Sequence, residues 1–136
     1  MRRSFKRSYD SLGEVFAFVR DCLVREQIEA GSLFVFCFAA EELFTNMVKY
    51  SPGADEIQIE VTKAGDELLM TLYDSDVDEF DVTQVPPAQV EAPIQDRQPG
   101  GLGIHLVRKL TDRVEYEYSN RQSRITVGKK LGQEQC

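Results

Sequence analysis

A chain of 136 residues is long enough to bury the core of one domain, and its 42% hydrophobic content excludes general disorder. Its formal charge of −7 and pI near 4.8 exclude a nucleic-acid binder, which needs a basic face, but leave open a nucleotide at a small local site. No signal-type apolar segment follows the basic start (Arg2, Arg3, Lys6, Arg7), and no apolar run is expected to span a membrane. Ser4 to Tyr9 reads as a short first strand. Leu12, Val15, Phe16, Val19 and Leu23 then recur at helical spacing, predicting an amphipathic helix to about Glu29. Gly31 breaks the pattern, and Ser32 offers an N-cap for a second helix from Leu33 to about Tyr50, apolar on most sides and ended by Pro52 and Gly53. Cys22 and Cys37 fall within these apolar patterns as small core residues. With Cys136, a terminal thiol, they make an odd count that fits a reducing cytoplasm.

Further along, Ile57, Ile59 and Val61 alternate with polar residues, as do Leu68, Met70 and Leu72, and Ala64-Gly65-Asp66 reads as the hairpin turn between them. From Val82 to Pro99 the periodicity stops and Pro86, Pro87, Pro93 and Pro99 intervene; a loop this long is a functional lid or a disordered segment. A third helix is expected after Gly103. Val114, Tyr116 and Tyr118, then Ile125 and Val127, predict a second hairpin around Ser119-Asn120. Strand, two helices, hairpin, loop, helix, hairpin is the order of an α+β two-layer sandwich, with a mostly antiparallel sheet and helices on one face. The expected organisation is one domain over residues 1–130, a lid at about 82–99, and a tail at 131–136.

Three segments carry chemistry. Gly100-Gly101-Leu102-Gly103 runs straight into an apolar helix, and glycine amides at a helix start suit a phosphate. Glu42 and Asn46 stand four apart and project from one face of the second helix. They lie on an exposed stripe, or cap neighbouring backbone, or form a site, with a carboxylate as general base and an amide oxygen as a hard ligand for Mg²⁺. Asp74 ends an alternating strand and opens Asp74-Ser75-Asp76-Val77-Asp78, which lacks the glycine and distal glutamate of a calcium loop. His105 and Lys49 read as helix-surface residues.

Glu42-x-x-x-Asn46, Asp74 and Gly100-Gly101-Leu102-Gly103 together resemble the GHKL ATP-binding superfamily of gyrase, heat-shock chaperones and histidine kinases. Ala40–Asn46 and Arg97–Asp112 resemble its small bacterial branch of anti-sigma-factor serine/threonine kinases. The resemblance covers about Phe5 to Gly128 and implies a Bergerat-type fold with ATP and Mg²⁺ as ligands. It implies that Glu42 polarises the attacking hydroxyl, Asn46 holds Mg²⁺, and Asp74 accepts from the adenine amino group. Residues Gly100, Gly101, Leu102 and Gly103 would cradle the phosphates. The implied partners are a small STAS-like anti-sigma antagonist as substrate and a sigma factor as competitor, in the cytoplasm, with homodimers usual among such proteins and neither nucleic acid nor membrane bound directly. Asp76 stands where the family pattern has glycine, so its side chain is expected to bring bulk and charge beside the nucleotide. Tyr50 stands where the family often has histidine. Two readings follow: an ATP-dependent protein kinase, and a non-catalytic partner-switching module with a degenerate pocket. A domain detached from a histidine kinase fits less well, because there is no room for a phosphoacceptor helix pair.

Overall fold

The computed structural model describes residues 1–50, 52–83 and 101–131. In chain order these form β1 (Arg2–Lys6), a 3-10 turn (Tyr9–Ser11), α1 (Leu12–Arg25), α2 (Ala30–Tyr50), β2 (Glu56–Ala64), β3 (Glu67–Ser75), α3 (Gly101–Leu110), β4 (Arg113–Ser119) and β5 (Gln122–Lys130). The strands make one antiparallel sheet in the order β1-β2-β3-β5-β4, so the α+β class read from the sequence holds.

Period-two alternation places Ile57, Ile59 and Val61, then Leu68, Met70 and Leu72, then Ile125 and Val127 on one face of the sheet, all buried. Against them lie Val15, Val19 and Leu23 of α1 and Phe36, Leu43, Phe44 and Met47 of α2. Burying each such side chain fully is worth roughly 1.5–3 kcal/mol. A one-residue slip of β3 would turn Leu68, Met70 and Leu72 away from the helices, so the core fixes the register. The two hairpins turn where the backbone goes left-handed, at Gly65 (φ 64°) and at Asn120 and Arg121 (φ 52° and 61°). The second pair is the signature of a type I′ turn, one residue later than Ser119-Asn120.

Element boundaries depart from expectation for local reasons. The first strand stops at Lys6, because Ser8 accepts from the Asp10 amide at 3.1 Å and bends the chain into the 3-10 turn. Helix α1 ends at Arg25, not near Glu29, in a Schellman arrangement: Gln27 takes φ 59°, its amide bonds the Val24 carbonyl, and Ile28 bonds Leu23. Helix α2 starts three residues early because Glu29, not Ser32, caps it. The Glu29 carboxylate accepts from the Ser32 hydroxyl (2.6 Å) and from the amides of Ser32 (2.7 Å) and Gly31 (3.2 Å). At 21 residues α2 is also long and apolar enough, by length and composition, to cross a membrane, contrary to the sequence reading; half of its apolar window is buried within this domain. Helix α3 starts at Gly101, so Gly103 lies within its first turn. The lid expected at 82–99 lies, beyond Thr83, outside the described residues, as do Gly100 and Cys136.

Candidate functional site

Helix α2 carries Glu42 and Asn46 on the flank that meets α3. Because α2 is apolar nearly all round, a polar residue on that flank is enclosed; Asn46 is only 2% exposed, which removes it from any exposed stripe. Asp74 continues the inward-facing series Leu68, Leu72 at the end of β3, where the next buried position receives a carboxylate at 1% exposure. The Glu42 carboxylate occupies the space that a Cβ at position 103 would need. Glycine is required there by close approach: a side chain at 103 and the carboxylate in its present place exclude each other. Amides in the first turn of a helix have no partner within it, so Gly103 brings the positive end of α3 beside Glu42.

Among the described residues, three buried side-chain atoms lack a hydrogen-bond partner: Glu42 Oε2, Asn46 Nδ2 and Asp74 Oδ2. Leaving such a group unpaired costs about 1–3 kcal/mol. All three belong to side chains singled out from the sequence, and each is of a kind that a polar ligand group satisfies. Rotating the Asn46 amide by a half-turn puts its oxygen where the nitrogen stands. Burial pushes the Glu42 carboxyl above its ordinary value, with Glu41 adding to the shift. Burial also raises Asp74, while the hydrogen bond and charge of Arg7 pull the other way.

In the sequence Arg7 is only part of a basic start. In the fold it follows β1 and forms a buried ion pair with Asp74 through Nη2 and Oδ1. Its Nε donates to Ala54 O at 2.7 Å and its Nη1 to Met47 O at 3.2 Å. One guanidinium thus joins the end of β3 to the turn of α2 that carries Asn46. No local pattern announces this, because these three partners lie at least 40 residues away.

Asp76 takes the left-handed conformation (φ 56°) that its glycine-like position demands. Its carboxylate lies 3.2 Å from Arg121 at the β4–β5 turn, and Arg121 also reaches Asp78 at 2.8 Å. The same hairpin holds the neighbouring backbone: Tyr118 Oη donates to Val77 O at 2.8 Å, and the Phe80 amide donates to Tyr116 Oη at 3.2 Å. The charge on Asp76 is therefore engaged by a guanidinium. Arg108 of α3 donates to Thr83 O (3.1 Å) and to its hydroxyl (3.0 Å). His105 is exposed on α3 and Lys49 is exposed on α2, with Nζ 5.0 Å from the Tyr50 ring centre. No group of three His, Cys, Asp or Glu residues that could hold a metal occurs among the described residues.

An antiparallel sheet backed by helices, with a carboxylate and an amide on the central helix, a buried aspartate ending a strand and a glycine-opened helix beside them, defines an ATP-binding domain of GHKL type. Residues 5–129 match the histidine kinase-like ATPase domain, and the chain belongs to that family. Two solved structures share the fold. A chain of the SiaB–SiaC complex from Pseudomonas aeruginosa is 12% identical with a TM-score of 0.61, covering 96% of this chain and 89% of its own. The Acinetobacter baumannii histidine kinase AdeS is 12% identical with a TM-score of 0.54, covering 97% of this chain and 68% of its own. No curated protein matches the sequence. Family membership implies ATP as the ligand. The orphaned oxygens of Asp74 and Glu42 are acceptors for an amino group and a hydroxyl, and Asn46 offers a hard cation an oxygen there once its amide is turned over.

Proposed function

We propose that the protein is an ATP-dependent serine/threonine kinase of the partner-switching kind, which phosphorylates a small STAS-like anti-sigma antagonist and binds a sigma factor in competition. The observation that carries this reading is that three buried polar atoms, on Glu42, Asn46 and Asp74, lack partners in a domain of this family, with Gly103 packed against the Glu42 carboxylate. The SiaB–SiaC neighbour, a complex of two proteins, accords with a partner-binding role, and AdeS with a kinase role.

Phosphoryl transfer needs mainly positioning and charge neutralisation. Asp74 Oδ2 would accept from the adenine amino group. Amides at the start of α3 would hold phosphate oxygens. Asn46 would hold Mg²⁺, which neutralises phosphate charge when bound. Glu42 would take the proton of the attacking hydroxyl, and a carboxyl raised by burial is better matched to that task near neutral pH than an exposed one. The competing reading, a binding module with a spoiled pocket, rests on the bulk and charge of Asp76; the exposed pair of Asp76 with Arg121 favours the kinase reading on the side of charge.

The test is to capture partners with the tagged protein in Mg·ATP, then map phosphate by mass spectrometry. One captured small protein should gain a single phosphate on serine or threonine, and none when Glu42→Gln is the bait. Capture without phosphate would favour the binding module.

A further inference from the structure

We propose that Arg7 is a specificity-determining residue of the base site, occupying one oxygen of Asp74 so that the other becomes a single directional acceptor for an exocyclic amino group. The inference rests on the ATP-binding reading above and goes beyond it, because the family likeness assigns no role to this position.

The Arg7–Asp74 pair is the most enclosed ion pair among the described residues, with side chains 11% and 0% exposed. Its geometry divides the carboxylate: Oδ1 meets Arg7, while Oδ2 is buried without a partner. The residue is held from several directions: its guanidinium donates to Ala54 O and Met47 O, and its backbone amide to Asp55 O at 2.7 Å. Space around it is tight. A Cβ at Gly53 would stand 2.9 Å from Arg7 Nη2 and 2.7 Å from Ser75 O. Arg7 therefore cannot swing away without disturbing the α2–β2 turn, and Asp74 cannot rotate without leaving its partner.

The chemical consequence is selectivity at one position of a purine. An ionised carboxylate oxygen accepts hydrogen bonds and cannot donate them. It accepts from the 6-amino group of adenine and repels the 6-oxo group of hypoxanthine. A protonated carboxyl can donate as well, and loses that distinction. Burial drives Asp74 towards the protonated form and Arg7 opposes it. The amino-against-oxo choice thus depends on a residue at the end of the first strand. Sites built around a buried hydrogen bond discriminate strongly, because the wrong ligand leaves the protein group unpaired.

The experiment measures Mg·ATP and Mg·ITP affinities of the whole protein for the native chain, Arg7→Gln and Arg7→Lys, after thermal melts confirm folding. The native chain should prefer ATP. In Arg7→Gln the preference should fall at least about tenfold, because ATP weakens while ITP changes less than about twofold. Arg7→Lys keeps a charge but cannot serve Asp74, Met47 O and Ala54 O together, so its preference should fall by roughly two- to tenfold. Equal weakening of both nucleotides in Arg7→Gln, with the preference intact, would show a purely structural role and overturn the inference. If Arg7→Gln does not fold, Arg7→Lys decides: an unchanged preference overturns it. Failure of the native chain to bind either nucleotide would instead refute the ATP-binding reading itself.

Discussion

Gly103→Ala should separate activity from stability. An added methyl at 103 lands on the Glu42 carboxylate, which is the far end of a flexible side chain and the cheapest thing to move. The carboxylate should rotate out towards water. Its Oε2 breaks no hydrogen bond on leaving, because it has none, and the carboxyl escapes the burial that raises it. Alanine also favours a helix over glycine by about 0.8–1 kcal/mol in an interior position, less in a first turn. Stability should therefore be unchanged or rise by up to ~1 kcal/mol, a few degrees at most in Tm for a domain of this size. Phosphoryl transfer should fall by roughly 10²–10⁴-fold, the effect of removing a general base. Thermal melting and phosphate transfer to the captured partner read the two quantities separately. Adding Glu42→Gln to Gly103→Ala should cost little further activity, since both act through one carboxylate. A Gly103→Ala protein that transfers phosphate at the native rate would refute the argument, and so would a stability loss above about 2 kcal/mol.

Glu42→Gln should change the pH dependence of stability. Burial raises the folded carboxyl, so between the ordinary value of 4.5 and the raised one the native state binds more protons than the unfolded state, and stability falls as pH climbs. The Gln variant should lack this fall and be the more stable protein at neutral pH; urea melts at about pH 5 and about pH 8 check it, and a less stable variant at the higher pH contradicts it. Asn46→Ala should abolish most of the magnesium-dependent part of ATP affinity while leaving magnesium-free binding within about twofold, as read by titration with and without EDTA. Asp76→Gly should alter ATP affinity less than about threefold, because an exposed pair with Arg121 is worth only about 0.2–1 kcal/mol and the left-handed backbone suits glycine. Tightening by tenfold would show that the carboxylate does act on the nucleotide.

The strand and helix patterns were legible because burial in this fold is one-sided. Ile57, Ile59 and Val61 alternate, and Val15, Val19 and Leu23 recur, for the same reason that they pack together. Glu42, Asn46 and Asp74 stood out as polar residues interrupting apolar patterns. The helix ends were less legible: a glutamate can cap α2 and a glutamine can end α1 left-handed, and neither is the residue type that signals such a position. Arg7 and Arg121 were not legible at all. Each matters through partners 40 or more residues distant, and Asp76 alone looked like an uncompensated charge until the hairpin brought Arg121 to it.

Thermal melting against Mg·ATP concentration tests the central claim most directly. A ligand that binds only the folded state adds about 2.7 kcal/mol at a hundred times its Kd, so the native chain should melt progressively higher with Mg·ATP. Asp74→Asn, which turns an acceptor into a mixed donor and acceptor at the buried Oδ2 position, should blunt that rise. A native melting temperature that does not move at millimolar Mg·ATP would contradict the account.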